Sequence, residues 1–175
     1  MLIDGRSGAG KTTLATALAQ ATGARLLHLD DVYPGWDGLA AAAEAVRQQV
    51  LVPRRTGRRG DWRRWDWLAS APAERHAVPA DGGLICEGSG LLTRRSAPLG
   101  DLTLWVRLED AERRRRALDR DGATYAPHWE RWAAQECAAI AAERPQDLAD
   151  RTVDGRAVQA LLSGRTARIA YRRCP

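Results

Sequence analysis

The chain has 175 residues, with 27 Lys or Arg against 22 Asp or Glu, and its net charge at neutral pH is +5. Its length predicts a single domain over residues 1–175 whose core needs no disulfide or metal. Its three cysteines lie far apart, which excludes a disulfide framework and metal-ligand spacing and indicates the cytoplasm. No apolar run is long enough to cross a membrane, and the basic charge favours anionic ligands, either phosphorylated small molecules or nucleic acid.

A glycine-rich motif lies between the first predicted strand, Met1–Asp4, and the first predicted helix, Lys11–Ala21. It fits the pattern G-x-x-x-x-G-K-[ST] of a phosphate-binding P-loop, and it contains the only lysine of the chain. Backbone N–H groups of such a loop bind phosphate oxygens, the compact Lys11 ammonium reaches the outer phosphates, and the Thr12 hydroxyl binds Mg²⁺. The complete motif argues against a glycine turn that merely caps a helix. We expect nucleotide phosphates to be bound by Gly5, Ser7, Gly8, Ala9, Gly10, Lys11, Thr12 and Thr13.

Two neighbouring carboxylates, Asp30 and Asp31, come at the end of the predicted buried strand Arg25–Asp30. Ligands of open α/β sheets bind beyond the carboxyl ends of the strands, so Asp30 is a candidate base that accepts the proton of a substrate hydroxyl. Asp31 is instead a candidate for the metal shell, and we expect Tyr33 and Trp36 in the substrate pocket. The alternative for the acidic pair is a turn or a helix cap.

The segment 53–67, which follows the predicted helix Leu39–Leu51, is dense in arginine and tryptophan. Three interpretations are open. In the first, Trp65 and Asp66 contact a substrate, with the ring on a planar group and the carboxylate on a sugar hydroxyl. In the second, the segment is a platform for single-stranded nucleic acid. In the third, its tryptophans fill the core of a chain that has no phenylalanine.

A further carboxylate, Glu87, lies near the end of the predicted strand Leu84–Gly88. This position makes Glu87 a candidate for the Mg²⁺ shell, together with Thr12 and Asp31, or for binding a substrate hydroxyl. The alternative is a solvated carboxylate at a strand end.

A very basic helix, Glu109–Asp121, is predicted after the strand Leu102–Leu108. Arg113, Arg116 and Arg120 share one face of it, which could close over a nucleotide and stabilise charge on a transferred phosphoryl group. A solvated helix whose arginines pair with nearby acids is the alternative. The remaining predicted elements are the helices Tyr125–Glu143 and Ala157–Leu162 and the strands Thr152–Asp154 and Ala167–Arg172.

The order of these motifs resembles the uridine kinase-like branch of the P-loop small-molecule kinases. The similarity rests on residues 4–13, Leu29–Tyr33, Ile85–Gly88 and Arg115–Asp121, the last of which looks like the lid helix of that group, and it extends over residues 1–155. It implies an α/β Rossmann-like P-loop NTPase fold, with a five-stranded parallel sheet flanked by helices and a helical lid at about 109–128. It also implies that ATP and Mg²⁺ are used to phosphorylate a hydroxyl.

We therefore expect a kinase that acts on a small metabolite, with a nucleoside as one candidate and with Lys11, Asp30, Arg116 and Arg120 as catalytic residues. Arg113 and Arg116 are expected to contact the nucleotide. We expect a monomer or homodimer with a small-molecule hydroxyl substrate, without membrane or nucleic-acid partners. The alternatives are a nucleoside monophosphate kinase, with a monophosphate site formed by arginines within 54–64, and a nucleotide-binding regulatory or nucleic-acid-binding protein.

Overall fold

A parallel β-sheet lies at the centre of the computed structural model, which describes residues 1–162. The strands are β1 (Leu2–Gly5), β2 (Arg25–His28), β3 (Gly60–Asp66), β4 (Ala71–Val78), β5 (Leu84–Glu87), β6 (Thr103–Arg107) and β7 (Arg151–Asp154). The helices are α1 (Lys11–Thr22), α2 (Leu39–Val46), α3 (Val52–Arg55), α4 (Asp110–Tyr125), α5 (Trp129–Glu143), α6 (Pro145–Leu148) and α7 (Gly155–Leu162). The five-stranded sheet has the order β2-β5-β1-β6-β7 with parallel pairings, and β3 and β4 form a separate antiparallel hairpin.

This architecture confirms the predicted fold class, which is α/β with a five-stranded parallel sheet flanked by helices. Several boundaries differ from the expected ones, and the basic helix α4 reaches Tyr125 where an end at Asp121 was expected. The strand expected to reach Asp30 ends at His28 and continues as a 3₁₀ turn over Leu29–Asp31. The helix expected over Leu39–Leu51 is α2 followed by a π-helical segment, Arg47–Leu51. The helix expected from Tyr125 begins at Trp129 after a 3₁₀ turn, and the expected strand Ala167–Arg172 lies outside the described residues.

The two faces of the sheet bury different apolar clusters. Under α1, the small Ala15 side chain packs with Ile3, Ile85 and Val106 from three neighbouring strands. The opposite cluster is larger and contains Leu27, Leu29, Tyr33, Leu39, Val46, Leu91, Leu92 and Trp132. Because the strands of a parallel sheet are covered on both faces, their sequences are mostly apolar without alternation, as in β5.

The P-loop connects the central strand to a helix that is bounded by glycine at both ends. Gly10 precedes α1 in the left-handed conformation, and Gly23 ends it at φ 69° with its N–H donating to Ala19 O at 2.8 Å. The loop begins directly after β1, at the carboxyl edge of the sheet, and lies beside the loops that follow β2 and β5.

The arginine- and tryptophan-rich segment forms the first strand of the hairpin. The pairing shifts register between Arg63 and Trp65, where the strand is irregular. Gly60 begins β3 against the π-helical segment, and a Cβ there would lie 2.8 Å from Val50 Cα. The start of the hairpin therefore packs against the π-helical segment, and its turn, residues 67–70, reaches the carboxyl edge of the main sheet. None of the helices within residues 1–162 is long and apolar enough to span a membrane.

Candidate active site

The glycine-rich loop forms a cradle of backbone N–H groups at the start of α1. Gly8 and Gly10 have φ values of +79° and +104°, which side-chain-bearing residues rarely adopt. The first intrahelical bond runs from Leu14 N–H to Gly10 O at 3.1 Å, and no side chain caps the helix. The N–H groups at positions 11–13 precede that bond, so they are suited to bind an anion.

Lys11 folds back over this cradle. Its Nζ donates to Arg6 O at 3.3 Å and to Ser89 Oγ at 3.2 Å, and the residue is only 8% exposed. Ser89 Oγ in turn lies 3.1 Å from Gly5 O. The ammonium is therefore held at the mouth of the loop by oxygen acceptors, where a phosphate group could replace them.

Glu136 on α5 fastens the loop from behind. Its carboxylate accepts hydrogen bonds from Ser7 N–H at 2.6 Å and from Arg6 Nε at 3.1 Å, and Ser89 Oγ lies 3.1 Å from it. Arg113 Nη1 lies 3.6 Å from the same carboxylate, and Glu136 and Arg113 are 3% and 4% exposed. Asp110 pairs with both Arg6 and Arg113. Arg113 was expected to contact the nucleotide. Its guanidinium instead points into this network, and Arg113 is not among the residues that line the cavity.

One cavity of about 790 Å³ opens beside the loop. It brings together all four expected catalytic residues, Lys11, Asp30, Arg116 and Arg120. The other expected site residues on its wall are Ser7, Gly8, Gly10, Thr12, Thr13, Tyr33 and Trp36. Residues that sequence reasoning did not place there are Trp67, Ser89, Asp121, Thr124, Tyr125, Trp132 and Gln159. Cavities that hold drug-sized ligands measure roughly 300–1,000 Å³, so this one has room for a nucleotide and a small second molecule.

Asp30 faces this cavity from the 3₁₀ turn after β2. Desolvation by the surrounding protein raises the pKa of its carboxyl, although the charge of Lys11 opposes the rise. The side chain nevertheless keeps solvent access through the cavity, which limits the rise until a ligand displaces the water. A carboxyl whose pKa moves toward neutrality is a better general base.

Glu87 lies directly behind the P-loop threonine. Thr12 Oγ1 donates to Glu87 Oε1 at 2.9 Å, and His28 Nδ1 lies 2.6 Å from the same oxygen. Burial opposes ionisation of Glu87, but the hydrogen bond from His28 and the charge of Lys11 hold its pKa below the ordinary value. An ionised carboxylate beside the Thr12 hydroxyl suits the hydration shell of Mg²⁺. Asp31, the other expected metal-shell residue, is half-buried beside Asp30 and does not line the cavity.

No group of three His, Cys, Asp or Glu side chains within residues 1–162 could hold a metal ion by itself. Thr12 and Glu87 fit Mg²⁺ only in the manner of nucleotide sites, where the ion keeps several waters and is shared with substrate phosphates. The residues present therefore fit a magnesium–nucleotide complex and not an all-protein metal cage.

The tryptophan-rich hairpin contributes differently at each position. Trp67, at its turn, donates its indole N–H to Asp30 O at 2.8 Å and lines the cavity. Trp62 stacks on His76 at 4.6 Å and packs against the core. Trp65 and Asp66, the two expected substrate residues, do not line the cavity, and Asp66 instead accepts hydrogen bonds from two backbone N–H groups of the turn.

Four of the six arginines within 54–64 are engaged elsewhere. Arg54 and Arg63 donate to backbone carbonyl groups, Arg55 pairs with Asp101, and Arg64 pairs with Glu74. None of these four residues lines the cavity. The monophosphate site that the alternative of a nucleoside monophosphate kinase requires is therefore not formed by these four arginines in this cavity.

The basic helix α4 covers the cavity with two of its three aligned arginines. Arg116 pairs with Glu112 at 2.6 Å and Arg120 with Asp121 at 2.6 Å, and both line the cavity. Gly122 interrupts the helix with φ 53° and ψ −131°, a conformation that only glycine adopts readily. This break lets the chain after Asp121 turn along the cavity.

Comparisons with known proteins agree with this fold. No protein-family profile matches the chain, and no curated protein matches it. A solved structure from Bacillus stearothermophilus named "Possible Uridine Kinase" is similar, with 20% identity, a TM-score of 0.62, and coverage of 87% of this chain and 86% of that one. A second, named "putative fructose transport system kinase", from Silicibacter sp. TM1040, has 18% identity, a TM-score of 0.55, and coverage of 91% and 83%. At these identities the likeness shows that the chain has the fold of P-loop kinases.

Proposed function

We propose that this protein is an ATP-dependent phosphotransferase that phosphorylates a hydroxyl group of a small metabolite. The observation that carries the proposal is that one cavity of about 790 Å³ has both Lys11 and Asp30 on its wall. A phosphate site and a carboxylate that can accept a hydroxyl proton thus open onto the same space.

The phosphate end is built from the loop and α1. The N–H groups at positions 11–13 and the Lys11 ammonium bind the outer phosphates, and Thr12 with Glu87 holds the hydration shell of Mg²⁺. ATP supplies the phosphoryl group, and Mg²⁺ neutralises charge on its phosphates. Arg116 and Arg120 on α4 add positive charge over the same space, where charge builds up during transfer.

The acceptor end is built around Asp30. Its carboxyl accepts the proton of the acceptor hydroxyl as the oxygen attacks the outer phosphorus atom and the bond to the leaving ADP breaks. Burial raises the pKa of Asp30, and the charge of Lys11 opposes that rise. The Trp67 hydrogen bond to Asp30 O fixes the backbone that carries this carboxyl.

The test is ADP release measured with ATP, Mg²⁺ and a panel of hydroxyl-bearing metabolites. Uridine and fructose belong in the first panel because they appear in the names of the two similar structures. Asp30→Asn should lower the acceptor-dependent rate about 100-fold or more, the usual contribution of a positioned base. Asp101→Asn, at a side chain that is 86% exposed, is the matched control and should keep the wild-type rate. An Asp30→Asn rate equal to wild type would remove Asp30 from the mechanism.

A further inference from the structure

A histidine lies directly behind the proposed magnesium site, and the phosphotransfer described above gives it no role. His28 is the last residue of β2 and Glu87 is the last residue of β5, and the two are partners in the parallel pairing of these strands. Side chains alternate between the faces of a strand, and Leu26 and Ile85, two residues earlier, both pack in the cluster under α1. His28 and Glu87 therefore point to the face of the sheet that carries α1.

Glu87 receives two hydrogen bonds at one oxygen atom. Thr12 Oγ1 donates to Glu87 Oε1 at 2.9 Å, and His28 Nδ1 lies 2.6 Å from the same atom. Because Oε1 accepts the Thr12 proton, it carries none of its own, so the proton of the second contact belongs to Nδ1. His28 and Thr12 thus both donate to the carboxylate that lies between them.

Thr12 is the member of this trio that meets the ligand. It lines the cavity, whereas Glu87 and His28 do not. A hydroxyl group has one proton and two lone pairs, and Thr12 gives its proton to Glu87, which is not on the wall. The lone pairs are therefore left for a ligand, and a hard cation such as Mg²⁺ binds through oxygen lone pairs.

His28 fixes the acceptor of the Thr12 proton. Glu87 is 2% exposed, so there is little water to orient its carboxylate, and His28 and Thr12 supply the hydrogen bonds at Oε1. Without the His28 donor, this oxygen keeps only the bond from Thr12, and the carboxylate is freer to rotate. The Thr12 proton can then turn toward the cavity, where it would face the cation in place of a lone pair and oppose its binding.

We propose that His28 is a positioning residue for Mg²⁺, which acts through Glu87 on the Thr12 hydroxyl; this inference rests on the proposed use of ATP and Mg²⁺. The His28 ring is not on the cavity wall, so it reaches the cation only through these two side chains. Removing a hydrogen-bond partner behind a metal ligand usually lowers metal affinity about 10- to 100-fold. A histidine that only stabilised the strand ends would change the melting temperature and leave the Mg²⁺ dependence unchanged.

The test measures nucleotide affinity with and without Mg²⁺ and needs no phosphoryl transfer. The probe is the β,γ-imido analogue of ATP, titrated calorimetrically into the full chain in excess Mg²⁺ and again in EDTA. The ratio of the two dissociation constants is the gain in affinity due to Mg²⁺, and by linkage it equals the tightening of Mg²⁺ on the nucleotide when the protein binds. Wild type should show a gain of about 100-fold, and His28→Leu should lower it to about tenfold.

Further variants separate the hydrogen bond from the bulk of the ring. His28→Ala, which also lacks the donor, should show the same loss as His28→Leu, while His28→Asn places an amide N–H close to the position of Nδ1 and should retain most of the gain. His76→Leu is the matched control, because His76 Nε2 also lies beside a glutamate, 3.2 Å from Glu74 Oε1, and does not line the cavity. Its gain should equal that of wild type. Melting temperatures verify that each variant is folded.

The outcomes distinguish this inference from the proposed function. A wild-type gain that His28→Leu and His28→Ala keep or exceed would overturn the inference and leave the proposed function standing, and so would an equal loss in His28→Asn. No gain in the wild type would overturn both. A gain that is lost in His28→Leu and kept in His28→Asn, without transfer to any acceptor, would support the role of His28 and overturn the proposed function alone.

Discussion

Replacing Glu136 by glutamine tests the network that holds the P-loop, α4 and α5 together. Glutamine has the size of glutamate and can still accept the hydrogen bond from Ser7 N–H. It removes the negative charge, however, and directs an amide group toward Arg6 and Arg113, both of which are donors. The variant therefore removes the charge pairing while it keeps the size of the side chain.

The magnitude follows from the burial of the partners. Removing one member of a buried ion pair costs about 3–5 kcal/mol, because the other charge stays buried without compensation. Arg113 is 4% exposed, which puts it in that class, but both Arg113 and Arg6 keep Asp110 as a partner, and the Arg6 side chain is 18% exposed and keeps some water. We expect the free energy of unfolding to fall by about 3 kcal/mol, at the lower end of the range. For a chain of this length that lowers Tm by about 6–12 °C.

Urea denaturation and thermal melting of the wild type and Glu136→Gln measure this loss. The matched control is Glu130→Gln on the same helix, where the side chain is 85% exposed and lies 3.8 Å from Arg114. That exposed pair should contribute under about 1 kcal/mol. If Glu136→Gln cost no more than Glu130→Gln, the buried network would not be holding the loop, and the account of how α5 positions it would be wrong.

Three other predictions concern the loop and the strand before it. Lys11→Arg keeps the charge but not the compact shape, so it should lower the ATP turnover rate about 100- to 1,000-fold; a wild-type rate would refute the shape argument. Burial raises the pKa of Asp4 from 3.8 to about 7, so the folded chain binds this proton more tightly than the unfolded chain. The Asp4 contribution to the free energy of unfolding should therefore decrease as pH rises from about 4 to about 7, and urea titrations of Asp4→Asn should lack that decrease. A Cβ at Gly8 would lie 2.0 Å from Arg113 O, whereas Gly23, also left-handed, has nothing within 4 Å. Gly23→Ala should cost about 1–2 kcal/mol in urea denaturation and Gly8→Ala clearly more; equal costs would contradict the close packing of α4 on the loop.

Local patterns were enough to predict the sheet and the phosphate cradle. The P-loop, the apolar runs of β1, β5 and β6, and the basic helix α4 are each encoded in a short stretch of sequence. The strand order around them follows from the fold that the motifs resemble. The placement of Asp30 in the cavity was also predictable, even though β2 ends two residues before it.

Contacts between distant parts of the chain were not predictable. Glu136 is 129 residues from Ser7 and 130 from Arg6, and nothing in its alanine-rich surroundings distinguishes it from a solvated glutamate. The aromatic residues that line the cavity likewise come from three separate regions, and only Tyr33 and Trp36, close to the acidic pair, were expected there.

The hairpin was missed for a local reason. Strand β3 carries arginine and tryptophan without a strict alternation of apolar and polar residues, and its register shifts between Arg63 and Trp65. Trp65, just after the irregularity, does not line the cavity, while Trp67, at the turn, does. A single-sequence pattern gives no means of choosing between these two tryptophans.

The most direct test of the proposed phosphotransfer is to follow the outer phosphorus atom of ATP by ³¹P NMR, with the wild-type protein, Mg²⁺ and the acceptor panel. The account predicts that this signal moves to a phosphate monoester in amounts equal to the ADP formed, and that Asp30→Asn slows the change about 100-fold or more. Release of inorganic phosphate alone, or an ATP signal unchanged with every acceptor, would contradict it.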